Sequence, residues 1–301
     1  MTLSVIYAII KNMKKYGGAH RVKDVTGMTQ ISIDLKPNRS VSDVYINQKM
    51  DLTNLAKYID KKKKEKAGVT YFHAFLAAIG KTVYNRPKLN YFVANRHIWE
   101  HEKIVLSFVA KVSFDDHSEE MMVMVPIEKN DTIYTIGEKV VKKVESFRNR
   151  RKDGVAKEGA NSAIDVLGKL PNIIRVPIVG IFKWCDKKGI LPASLSKDNL
   201  YYSTMIVSNL GSIGCGAIFH NITDFGNSSS LLTMGEIKDE EVIIDGKKEV
   251  RKICEWGMNF DERTADGYYF AKSANLLQYL LDNPEELEKP ASEKIELKEI
   301  R

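Results

Sequence analysis

The chain has 301 residues, 46 Lys plus Arg against 39 Asp plus Glu, and a formal net charge of +7. Apolar residues make up 44% and charged residues 28%, the balance of a globular protein with a large core and not of a disordered one. No apolar run reaches the roughly 18–20 residues of a membrane span, and Cys185, Cys215 and Cys254 form no C-x-x-C pair, which argues against a disulfide frame and against a zinc site.

Residues 1–24 read as a leader with one short amphipathic helix. Lysines follow the apolar run 5–10 instead of preceding it, and no small-residue cleavage pattern comes after, so it is no signal peptide and the expected location is cytoplasmic. The alternating segment 28–35 predicts a strand and 44–50 a second. Asp51 suits the N-cap of a helix over 52–66, with Leu52, Leu55, Ala56 and Ile59 on one face and Gly68 as its stop. Thr70 caps a second helix over 71–84, ended by Asn85-Arg86-Pro87. A hairpin over 91–94 and 96–102 follows, then a strand over 104–113, a polar turn at 115–120 and a strand over 121–126. An amphipathic helix over 132–151 aligns Ile136, Val140, Val144 and Phe147. Residues 153–200 are apolar and helical in period but broken by prolines. Strands are expected over 201–208, 230–237, 241–244 and 251–259, then a helix over 267–281 stopped by Pro284 and a charged, loose tail from 285. About nine strands and five helices in mixed order predict an α/β two-layer sandwich with a mixed sheet.

Several motifs are set aside. His97-Ile98-Trp99-Glu100-His101 matches H-x-x-E-H, but zinc needs both histidines on one helix face, and a strand would hold them roughly 13 Å apart. Asp224-Phe225-Gly226 lacks the other kinase motifs, and 211–216 (GSIGCG) fits no phosphate-binding pattern, so both read as turns. No metal is expected. The basic runs 61–66 and 148–152 read as helix ends or as a site for an anionic cofactor. Nucleic acid is not expected, because no aromatic–basic interleaving accompanies them.

Three segments combine into a more specific pattern: Val207-Ser208-Asn209-Leu210-Gly211, the strand 231–235 (LLTMG), and Phe260-Asp261-Glu262-Arg263-Thr264-Ala265-Asp266-Gly267 before an amphipathic helix. In this order they resemble the catalytic domain of the 2-oxo acid dehydrogenase acyltransferases and of chloramphenicol acetyltransferase, over roughly residues 25–288. The resemblance implies a chloramphenicol acetyltransferase-like fold, acyl-CoA as cosubstrate, and a homotrimer with active sites between subunits. The family signature ends in H-x-x-x-D-G, whose histidine is the general base. Here Asp266-Gly267 is present and Glu262 stands at the histidine position. A free Glu is a weaker base than His by about two pKa units, roughly 3 kcal/mol of driving force, which burial can restore. His220 is the other candidate base. By resemblance Ser208 is the oxyanion donor, and Asp266 and Arg39 form a structural salt bridge.

The domain plan is a leader at 1–24, an acyltransferase-like domain at 25–288 interrupted by the apolar insertion 153–200, and a charged tail at 289–301. No lipoyl domain, and so no lipoyl group, is expected in this chain. The insertion reads as a lid, a partner surface, extra core or trimer packing. Lys183, Lys187 and Lys188 beside Trp184 also make 165–195 a candidate for peripheral membrane contact. Two functional readings stand. One is an acyl-CoA-dependent acyltransferase acting on a thiol, hydroxyl or amine. The other is a catalytically inactive homologue, a pseudoenzyme, that binds acyl-CoA, lipid or a carrier or partner protein.

Overall fold

The computed structural model describes residues 15–111, 120–152, 166–196 and 199–296. Residues 1–14 of the expected leader 1–24, with its apolar run 5–10, most of the turn at 115–120, the first part of the insertion and the end of the tail lie outside the described residues.

Six strands form the main sheet: β2 (Asp43–Asp51), β5 (Ile104–Lys111), β6 (Glu120–Ile127), β7 (Met205–Asn209), β8 (Ser230–Ile244) and β9 (Lys247–Asp261), in the order β2-β9-β8-β7-β5-β6. β7 runs parallel to both neighbours and every other pair is antiparallel, so the sheet is mixed. A smaller sheet pairs β1 (His20–Arg21), β4 (His97–Glu100) and β3 (Tyr91–Ala94).

One face of the main sheet carries the helices. Alternate residues Val207, Leu232, Met234, Trp256, Met258 and Phe260 point into a core shared with α2 (Thr53–Lys64), α3 (Tyr71–Asn85), α4 (Ile133–Lys152) and α6 (Gly267–Asp282). Leu55, Ile59, Leu76 and Leu280 are fully buried there, each stabilising the fold by about 1.5–3 kcal/mol. The opposite face carries Ser208, Leu231, Thr233, Gly257, Asn259 and Asp261, by the period of two along each strand. It is covered by irregular chain and by a small cluster of Leu200, Ile206, Ile222 and Leu231.

Several expectations are corrected. Residues 28–35 form a helix, α1 (Gly27–Leu35), and not a strand. The Thr26 hydroxyl accepts from Thr29 N at 3.3 Å, and Met28, Ile31 and Leu35 share one face at helical spacing while Ile33 turns inward. Asp51 does accept from Thr53 N at 2.8 Å, but Leu52 is the capping position of α2. The strand expected from 201 begins at Met205, after a 3-10 turn at Leu200–Tyr202, and the two short strands after 230 are one long strand. Over residues 285–296 the tail is not loose. Leu287 and Ala291 are buried, Lys81 donates to the Glu286 and Pro290 carbonyls at 2.9 and 3.2 Å, and Ile295 N donates to Asn85 at 3.0 Å. Within the insertion, α5 (Asn172–Lys188) is a helix with Pro177 inside it.

Candidate active site

Glu262 follows the last residue of β9, in the turn that leads to α6. Its backbone N–H donates to the Ser42 carbonyl at 3.0 Å. On either side, Asp261 and Arg263 form a buried ion pair, Nε to Oδ1 at 2.8 Å and an Nη to Oδ2 at 2.7 Å. Arg263 also donates to the Lys36 carbonyl at 2.9 Å. Lys36 caps the C-terminus of α1, and its ammonium is hydrogen-bonded to Oε1 of Glu262. That pair is about one-third exposed, so water and small molecules reach it.

Ser208 lies on β7 opposite Thr233 of β8, and Thr233 lies opposite Gly257 of β9. Its hydroxyl is half-buried and has no hydrogen-bond partner among the described residues. Glu262 is two strands away and five residues farther along β9. Strand spacing and rise put the two about 20 Å apart. Within one chain, Ser208 and Glu262 do not meet.

His220 lies on the segment that crosses the outer face of β8 and β9. The approach is close: a Cβ on Gly235 or Gly257 would collide with the backbone of Ala217 or Ile218. Thr233 Oγ1 fixes Ile218 through both its N–H and its carbonyl, and His220 N–H donates to Asn259 at 3.3 Å. The imidazole is exposed, with Nδ1 3.1 Å from the Asn221 carbonyl. Its anchor Asn259 lies two residues along β9 from the Ser208 row, about 12 Å away by the same spacing. His220 thus shares a sheet face with Ser208 but not a hydrogen bond.

The expected salt bridge between Arg39 and Asp266 is not formed. Arg39 is buried and donates to the Thr223 carbonyl at 3.2 Å and the Val93 carbonyl at 3.5 Å. Asp266 caps α6, accepting from Tyr269 N at 2.8 Å. The ion pair that stiffens the turn is Asp261–Arg263, which the sequence reading missed. Its signal was an acid and a base two apart at a strand end, hence on one side of the chain. Lys36 carried no signal, because its partner lies 226 positions away.

The remaining set-aside residues have structural partners. His97 meets Arg21 at 3.2 Å. His101 is enclosed against Phe92, and burial pushes its pKa down to about 3. Asp224 accepts from Ser40 N and Oγ, both at 3.1 Å. Lys61–Lys64 close the last turn of α2, where cations complement the helix dipole, and Lys62 turns back to Glu288 at 3.0 Å. Among the described residues no group of three or more His, Cys, Asp or Glu could hold a metal, and no helix is long and apolar enough to cross a membrane.

Residues 191–288, which include Ser208, His220, Glu262 and Asp266, match the family model of the 2-oxoacid dehydrogenases acyltransferase (catalytic domain). Similar solved structures cover nearly the whole of both chains. The cubic core of the pyruvate dehydrogenase multienzyme complex is 16% identical over 88% of this chain and 93% of that one, with a TM-score of 0.57. A dihydrolipoamide acetyltransferase of Azotobacter vinelandii, studied for a serine, a histidine and an asparagine in its catalytic mechanism, is 17% identical over 88% and 93%, at 0.56. A chloramphenicol acetyltransferase is 11% identical over 88% and 98%, at 0.50. The chain has the chloramphenicol acetyltransferase-like fold. No curated protein matches its sequence.

Proposed function

We propose that the protein is an acyl-CoA-dependent acyltransferase whose active site is completed between copies of the chain, in a homotrimer. The carrying observation is the separation of Ser208 from Glu262 along one sheet. Two groups of one site that cannot meet within a chain can meet across an interface. A second observation supports it. The exposed apolar stripe of Met28, Ile31 and Leu35 on α1 ends at Lys36, so a copy packed on that stripe arrives at Glu262.

In this reading the acceptor thiol, hydroxyl or amine attacks the thioester carbonyl of acyl-CoA and gives its proton to Glu262. The unpartnered Ser208 hydroxyl of a neighbouring copy donates to the tetrahedral oxyanion, an interaction worth about 3 kcal/mol when preorganised. Collapse breaks the C–S bond, and the proton passes to the departing CoA sulfur. His220 is the alternative base, on the same face as Ser208.

A second reading has its own support. Oε1 of Glu262 already accepts from Lys36, which occupies an oxygen that a base needs free. In that reading the chain binds acyl-CoA and transfers nothing.

Acetyl-CoA with a panel of thiol, hydroxyl and amine acceptors tests both, with free CoA and acylated acceptor quantified by chromatography. Transfer that Glu262→Ala abolishes and His220→Ala spares supports the first reading; the reverse pattern moves the base to His220. Calorimetric binding of acetyl-CoA without transfer supports the second. Co-expressing Ser208→Ala and Glu262→Ala chains tests the shared site: a random mixture regains about a quarter of wild-type turnover only when the two residues come from different copies.

A further inference from the structure

α5 is attached to the domain at one end. Asp186, near its C-terminus, accepts from Tyr202 Oη at 2.6 Å and from Gly226 N at 2.9 Å. Tyr16 Oη donates to the Lys187 carbonyl at 2.8 Å, where Gly189 turns the chain in the left-handed region. Ile178, Phe182 and Cys185 are the half-buried apolar positions of the helix.

The rest of the helix is apolar and exposed. Ile173 is 84% exposed and Trp184 56%, with Ile174, Val176, Val179 and Ile181 between them in the same state. At 100° per residue these six side chains span about 220° of the helix circumference. A helix packing on one protein partner hides a stripe of roughly 100°. A single partner would leave half of this surface in water, whereas a bilayer surface conforms to all of it. Pro177 fits such an exposed position, since water or headgroups can satisfy the carbonyl that its missing N–H leaves free.

Charge points to the same occupant. Residues 166–196 hold five cations, Lys169, Arg175, Lys183, Lys187 and Lys188, against one acid. That acid is Asp186, buried and hydrogen-bonded. The exposed surface of α5 is therefore apolar and cationic with no carboxylate, and Trp184 lies beside its lysines as in helices that lie in a membrane interface. The sequence before Tyr16, which joins the fold at this same end of α5, has the apolar run 5–10, three lysines (Lys11, Lys14 and Lys15) and no acid.

We propose that α5 docks the protein on membrane surfaces rich in anionic phospholipid, through the apolar arc from Ile173 to Trp184 and the lysines that border it. This holds independently of the acyl-transfer reading.

Flotation of the full chain with vesicles tests it. Wild-type protein is expected to float with equimolar phosphatidylcholine–phosphatidylglycerol vesicles and to stay down with phosphatidylcholine alone. On anionic vesicles Trp184 emission shifts to shorter wavelength and is quenched by brominated acyl chains. The double variant Ile173→Glu/Ile181→Glu loses flotation with unchanged circular dichroism and melting temperature, since both side chains are exposed. Lys183→Glu/Lys187→Glu lowers partitioning at least about tenfold. Absence of flotation on anionic vesicles overturns the proposal, as does flotation that survives Ile173→Glu/Ile181→Glu. Light scattering in which that variant dissociates an oligomer also overturns it, and makes the arc a contact between copies.

Discussion

Asp261 and Arg263 flank Glu262 and bond to each other beneath it. Two parallel N–H···O contacts of 2.8 and 2.7 Å join them, and Asp261 is wholly buried. The third Arg263 contact, to the Lys36 carbonyl at 2.9 Å, ties the end of α1 to the same turn. Glu262 therefore stands on a fixed backbone with its side chain turned out, and the ion pair that fixes it has no contact with the outward carboxylate.

Breaking that pair leaves an uncompensated buried carboxylate. Arg263→Met is expected to cost about 3–5 kcal/mol of stability, read as a lowered urea midpoint. Arg263→Lys recovers only part of it, because an ammonium cannot reproduce the two-point contact. A full-stability Arg263→Met protein would mean that the pair contributes nothing.

Lys36 and Glu262 present the opposite case, a pair open to solvent. Lys36→Met is expected to change stability by less than about 1 kcal/mol. If Glu262 is the base, freeing its oxygen raises acyl transfer by roughly three- to tenfold, measured as initial rate at saturating acceptor. An unchanged rate assigns proton abstraction elsewhere.

His101 predicts an acid sensitivity. Burial holds it neutral, with a pKa near 3 in the fold against about 6.5 unfolded. The unfolded chain takes up a proton below pH 6.5 that the fold refuses. This stability is complete above pH 6.5 and declines as pH falls towards 3, by about 2 kcal/mol at pH 5. Burial lowers the pKa of His73 as well, which adds in the same direction. His101→Gln should flatten the loss between pH 6.5 and 5 in denaturant titrations; an unaltered slope would exclude His101 as its source.

Gly257 supports the segment that carries His220. A methyl group there collides with the Ile218 carbonyl, which is backbone and cannot rotate away. Gly257→Ala is expected to destabilise by about 1–3 kcal/mol and to raise amide exchange across 216–222. Gly246→Ala is a useful contrast: that glycine, in a hairpin turn at φ 78°, has no atom near its missing side chain, so strain there is local to the turn.

Much of the fold was legible because its helices and strands have strong periods. The expected helices over 71–84, 132–151 and 267–281 correspond to α3, α4 and α6 within a residue or two. Segment 28–35 misled because Ile31, Ile33 and Leu35 alternate as in a strand while Met28, Ile31 and Leu35 also fall at helical spacing; the Thr26 cap decides for the helix. The tail misled because its charges hide Leu287 and Ala291, whose burial depends on elements far earlier in the chain. Glu262 and Ser208 could be picked out by motif, but their separation could not, since it depends on the registers of three strands. Lys36 was beyond reach for the same reason.

The central position of β7 bears on how the chain reaches this structure. Within the described sheet its five residues join the β5–β6 pair to the β8–β9 pair, and Asp43 in β2 waits for Asp261. A ribosome must release the chain from Asp43 through Asp261 before the sheet can close. Folding of this kind is slow, and chains interrupted before β9 would leave β2 without a partner and β8 as an open edge ready to join another molecule.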